Sequence, residues 1–168
     1  GIAGWAPPVR VRKRATWGAV QVLLALTLAC LPRAATAGVV RADTCAGGWT
    51  ATHATACLQN AIDSGADTIL VPAMSGPWNV SPIRLTRSYQ TILFEPGTVV
   101  VAREGEFRAR NDCLLAATHR TGLVLRGYGA TLRMRKADYE DPARYEPAEW
   151  RHALRLTGCR NVMVSGLR

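Results

Sequence analysis

Four short apolar runs return along this chain: Ile69-Leu70-Val71, Ile92-Leu93-Phe94, Leu123-Val124-Leu125 and Val162-Met163-Val164, each followed within a few residues by Pro or Gly. The last two lie in segments that align without a gap over fifteen positions, Cys113 to Gly127 against His152 to Gly166, at an offset of 39. Self-similarity of this kind marks stacked supersecondary units, none of which can bury its own apolar face without a neighbour. The remaining spacings are 23 residues from Ile69 to Ile92 and 31 from Ile92 to Leu123. An interval of 23 has room for one run, two further short strands and their turns, which is one turn of a three-strand solenoid. The longer intervals carry insertions, and the polar stretches 103–111 and 135–151 supply them. Constant strands with variable loops predict a right-handed parallel β-helix. An antiparallel sandwich or barrel would show stricter alternation and hairpin turns.

Strands are expected at 67–72, 83–85, 91–94, 98–102, 113–117, 123–126, 130–134, 152–156 and 161–165, with Gly127-Tyr128-Gly129 as a turn between two of them. Ahead of the first, Ala54, Cys57, Leu58, Ala61 and Ile62 recur at helical steps between Thr52, a suitable N-cap, and Gly65, a suitable stop. The expected class is therefore all-β with one short capping α-helix at about 53–63, which closes the open end of the stack. Trp49 and Trp78 are expected to cover that cap and the first coil.

Residues 1–37 read as a leader. Arg10, Arg12, Lys13 and Arg14 precede an apolar stretch from Trp17 to Leu31, and Ala35-Thr36-Ala37 forms a small-x-small cleavage site, the three-part layout of a secretory signal peptide. Pro32 and Arg33 close the stretch short of the roughly 20 apolar residues a membrane span needs. A retained membrane anchor is the competing reading and lipidation at Cys30 a lesser one, and residues 1–8 read as upstream readthrough or a truncated leader. Cleavage after Ala37 would leave 38–168, read as the cap and first coils of a domain that continues past Arg168. The formal charge of the whole chain is +9, but five basic and no acidic residues fall in 1–37, leaving sixteen basic against twelve acidic. Lys136 is the sole Lys after the leader, no basic tract remains, and a nucleic-acid partner is not expected. Nor is stable membrane insertion after cleavage. The expected location is secreted: periplasmic or extracellular.

Cys45, Cys57, Cys113 and Cys159 follow the leader. In an oxidising compartment Cys45 and Cys57, across a short loop, are the best candidate disulfide, worth about 3 kcal/mol in the chain-entropy model. Cys113 and Cys159 fall in different columns of the fifteen-position alignment at offset 39. No Cys or His pair has the close spacing of a zinc site, so no metal ligand is assigned.

The stretch 135–151 concentrates charge and aromatic rings. Asp138, Tyr139, Asp141, Glu149, Arg151 and His152 form the candidate substrate-binding set, because paired carboxylates can flank a glycosidic bond and aromatic faces can stack on sugars. The competing reading is a solvated loop in which Asp141-Pro142 and Glu146-Pro147 start short helical turns, with His152 at a coil corner.

The order Leu58-Gln59-Asn60-Ala61-Ile62-Asp63, Gly65-Ala66-Asp67-Thr68-Ile69-Leu70-Val71-Pro72, Gly76, Ser81-Pro82-Ile83-Arg84-Leu85 and Glu95-Pro96-Gly97 resembles the start of secreted right-handed parallel β-helix proteins of the pectate lyase and polygalacturonase-like superfamily. Glu149 to Leu154, Gly158 to Val162 and Val164 to Leu167 resemble bacterial members of the same group. The resemblance implies action on an extracellular polysaccharide, uronate-rich polymers included, by a glycoside hydrolase using clustered Asp residues or a polysaccharide lyase using an Arg base, with calcium as the lyase's cofactor. Those residues belong to middle coils, which would lie past Arg168. No motif here matches them, so no catalytic residue is assigned. The alternative is a noncatalytic adhesin or carbohydrate-binding scaffold.

Overall fold

The computed structural model describes Gly1 and residues 38–148 and 150–168. The leader reading for 1–37, the cleavage site and the candidate Glu149 lie outside the described residues. What is described is strand-rich, with parallel sheets and one α-helix. The strands are β1 (Val39–Arg41), β2 (Thr68–Val71), β3 (Trp78–Val80), β4 (Ile83–Arg84), β5 (Thr91–Phe94), β6 (Val99–Ala102), β7 (Leu115–Thr118), β8 (Val124–Arg133), β9 (Leu154–Thr157) and β10 (Met163–Leu167). The helix is α1 (Thr55–Asp63), and short 3-10 turns occupy Ala42–Thr44 and Lys136–Glu140.

Every ladder is parallel. The first runs β1-β2-β5-β8-β10, the second β3-β6-β8 and the third β4-β7-β9. The four apolar runs all fall in the first ladder, where Ile69 pairs Ile92, Ile92 pairs Leu125 and Leu125 pairs Val164. The offset of 39 is realised residue for residue: Leu115 pairs Leu154, Thr118 pairs Thr157, Thr121 bridges Arg160 and Val124 pairs Met163. The step between the second and third runs is different. Ile92 pairs Leu125 rather than Leu123, a spacing of 33 and not 31. A slip of two residues keeps the same side chains facing inward, so the apolar pattern alone could not detect it.

Three other expectations are corrected. Val124–Arg133 is one continuous strand through Gly127-Tyr128-Gly129, its first half pairing β5 and its second half β6. Trp78 is not a lid residue but the first residue of β3, fully buried, with Nε1 donating to the Pro72 carbonyl at 2.9 Å. The His152–Leu156 strand starts two residues later, at Leu154. Gly127 has a positional reason: a Cβ there would lie 2.5 Å from Leu167 Cδ2 and 3.0 Å from Ala130 Cβ.

One core runs through the ladders, and α1 contributes Cys57, Leu58, Ala61 and Ile62 to it. The helix begins after Ala54, which offers no side-chain cap, and not after Thr52. Instead the Ala54 N–H donates to Asn79 O (2.9 Å) and Thr55 Oγ1 accepts from Ser81 N (2.8 Å), so the first turn of the helix is tied to β3. Gln59 does the same for β4: its Oε1 accepts from Arg84 N and its Nε2 donates to Arg84 O, both at 3.0 Å. A side-chain amide here takes the place of a neighbouring strand, meeting the edge strand's demand for partners. Inside, Gln90 is fully buried and Nε2 holds the Ile62 and Ala66 carbonyls at 2.9 and 3.0 Å, fixing the helix end to β5. At the far side, Leu156, Met163 and Val164 are exposed on β9 and β10.

Candidate functional site

The register of the second ladder determines what stands beside what. Val99 pairs Thr131 and Val101 pairs Arg133, so the loops that leave β6 and β8, 103–111 and 135–151, start from adjacent strands and rise side by side. They are bonded to each other throughout. Glu146 N donates to Arg108 O (2.9 Å), Arg110 N donates to Glu146 Oε2 (3.1 Å), and Gly105 N donates to Tyr145 Oη (3.0 Å). Glu104 pairs with Arg135 at 3.4 Å and Arg144 at 3.6 Å.

Arg151 is the centre of this contact. It is only 8 % exposed; Nε donates to Phe107 O (2.9 Å) and Nη2 to Arg108 O (2.9 Å) and Glu146 O (2.6 Å). Its guanidinium lies 4.9 Å from the Tyr139 ring centroid and 5.8 Å from that of Tyr145, and those two rings meet edge-on at 5.3 Å. None of the ion pairs among the described residues includes Arg151. A desolvated charge is thus held by carbonyl dipoles and ring faces, and its Nη1 is buried without a hydrogen-bond partner among the described residues.

Against this centre lies a cavity of about 450 Å³ lined by Met134, Lys136, Tyr139, Glu140, Ala148 and Arg151. Its size falls in the range of ligand clefts, about 300–1,000 Å³. Two cations, one carboxylate, a tyrosine and two apolar residues line it. Burial pushes the Tyr139 phenol above its usual pKa, against the opposing pull of the bond from Arg135 N–H and of the Arg151 charge.

The six candidates therefore separate. Tyr139 and Arg151 meet at the cavity. Asp138 is engaged by Arg135, whose guanidinium pKa is raised chiefly by that bond. Asp141 is exposed and its Oδ1 accepts from Ala143 N at 3.0 Å, which caps the turn that follows it. The expected turn after Asp141 is present as a short one, its carbonyl accepting from Arg144 N at 3.3 Å and Tyr145 N at 3.1 Å, whereas no helical turn forms at 146–148. His152 is exposed, its ring edge-on to Trp150 at 6.2 Å, and its carbonyl accepts from Leu114 N. Missed were Met134, Lys136, Glu140 and Ala148, along with the contribution of 103–111. The signal for that contribution was present in the two insertions themselves, which leave the same column of successive repeats and must therefore be neighbours.

Cys45, Cys57, Cys113 and Cys159 are free thiols. Among the described residues no group of three or more His, Cys, Asp or Glu side chains is arranged to hold a metal ion, so the calcium of a lyase finds no ligand set in them. No helix among them is long and apolar enough to cross a membrane. Compared with protein-family models, curated proteins and solved structures, the chain gives no match.

Proposed function

We propose that this chain is a secreted parallel β-helix protein, right-handed as parallel crossovers nearly always are, that acts on an extracellular polysaccharide as a glycoside hydrolase or polysaccharide lyase. The fold reading is supported by three parallel ladders that each receive strands in chain order, β2-β3-β4 then β5-β6-β7. The functional reading rests on one observation: the insertion 135–151 walls a cavity with a tyrosine and a cation, Arg151, that the carbonyls of the neighbouring insertion 103–111 hold in place. Catalytic residues are not assigned to the described residues. A second reading, a carbohydrate-binding scaffold without turnover, is favoured by one feature of the site. Arg151 and Asp138 are both committed to partners within the protein, which leaves them poorly placed for proton transfer.

The test is affinity electrophoresis of the purified protein in gels containing neutral or acidic polysaccharides, with parallel assays for new reducing ends and for unsaturated sugar products. Retardation that weakens in Lys136→Gln supports the cavity, and product formation separates enzyme from scaffold. Neither retardation nor product with any polysaccharide would sink the proposal.

A further inference from the structure

On the third ladder the inward residues are Ile83 and Leu115, both buried, so Arg84 and Ala116 point to the opposite face. Arg84 pairs Ala116 and Ala116 pairs Arg155, which sets two arginines two strands apart, about 9.5 Å, with a single methyl between them. A cavity of about 70 Å³ fills that gap, lined by both arginines, Ala116, Cys113, Asn111 and Asp112 among others. It shares no lining residue with the cavity at Arg151.

We infer that Arg84 and Arg155 form a clip for a single oxyanion group, a carboxylate, sulfate or phosphate, on the outer face of the third ladder. At about 70 Å³ the cavity has room for such a group. Neither arginine takes part in an ion pair among the described residues. Both charges reach the floor of the cavity: the Cys113 thiol is pushed up by burial, drawn down by Arg155, raised by Asp112 and drawn down by Arg84. Among the lining residues the Asp112 carboxylate is the one opposing charge, and its Oδ2 is tied to Ala109 N at 2.9 Å. Two cations against one carboxylate leave a net positive cavity. The platform is rigid, since the Arg84 backbone is held by Gln59 and Arg155 lies within β9. Guanidinium forks match oxyanions in shape as well as charge. This site stands whether or not the polysaccharide reading does.

The probes are sodium sulfate, phosphate and acetate, titrated into the protein by calorimetry, with sodium chloride at equal ionic strength as the blank; the strongest binder of the three identifies the source of the oxyanion. Saturable binding is expected with at least one probe, weaker by about tenfold in Kd in R84Q and in R155Q, the loss of one charge-assisted bond, and absent in the double variant. K136Q, at the other cavity, is expected to bind as the unmodified chain does. If R155Q fails to fold, R84Q alone decides, because Arg84 is exposed. No saturable binding above chloride, unchanged affinity in R84Q, or loss of binding in K136Q would each overturn the inference.

Discussion

Replacing Arg151 with Met keeps an unbranched apolar stem of similar reach and removes the guanidinium. Three carbonyls lose a donor, although that of Arg108 keeps the Glu146 N–H. Phe107 is buried, so its carbonyl bears close to the full cost of an unsatisfied acceptor, about 1–3 kcal/mol. Arg108 and Glu146 are exposed residues whose carbonyls regain water, and their bonds cost less, together about 1 kcal/mol. The contact with the Tyr139 face adds roughly 1 kcal/mol. Against these stands the desolvation of a nearly buried charge, which the Met variant no longer bears. The net expectation is a loss of about 2–4 kcal/mol, concentrated in the two loops, with backbone amides of 103–111 and 135–151 losing protection before those of β2 and β5. Urea unfolding with hydrogen exchange resolved by mass spectrometry measures both quantities. Arg151→Lys should recover little, because a compact ammonium does not reproduce the planar fork that spans three carbonyls. A loss under about 1 kcal/mol with unchanged exchange at 105–110 would show that the loops are held by Glu146, Tyr145 and the Glu104 ion pairs without Arg151.

Gly127→Ala should destabilise by about 1–2 kcal/mol, read as a lower urea midpoint, since the new methyl meets Ala130 Cβ at 3.0 Å and Phe94 Cβ at 3.1 Å, both fixed to the backbone, and forces the Leu167 end to move. Gln59→Leu should cost about 1–2 kcal/mol and raise the exchange rate of the Arg84 amide in particular, because the amide that substitutes for a strand is gone while the helix's apolar face is untouched. The buried thiols of Cys57 and Cys113 have pKa values raised above 9.0, first of all by burial. The folded state therefore binds more protons than the unfolded one in the window above pH 9, and stability present below that pH falls as pH climbs through the folded pKa values; the slope should flatten in Cys57→Ala and Cys113→Ala, followed by urea midpoints from pH 8 to 10.5. Val164→Lys, on the exposed edge, should lower any self-association seen by light scattering without loss of secondary structure.

Much of the scaffold is legible in the chain. Runs such as Ile69-Leu70-Val71 announce strands, and the gapless alignment at 39 predicts pairings that the third and first ladders realise one by one. The interval from Ile92 is where reading failed, because β-structure repeats every two residues and a two-residue slip leaves every inward side chain inward. Trp78 was misread as a cover because nothing in its neighbourhood reveals that its Nε1 meets the Pro72 carbonyl, which makes full burial affordable for the indole.

The candidate site was legible as composition but not as geometry. The sequence by itself determined that 135–151 gathers rings and charges, that apolar triplets recur, and that a helix precedes them, because these are properties of residue type and spacing along the chain. Only the tertiary structure decided that Arg151 clamps the loop 103–111 through carbonyls some forty residues away, that Asp138 answers Arg135, and that Arg84 and Arg155 face one cavity across Ala116. Carbonyl partners carry no side-chain signature, and neighbours across a parallel ladder are fixed by register, which a side-chain pattern of period two specifies only to the nearest pair of residues.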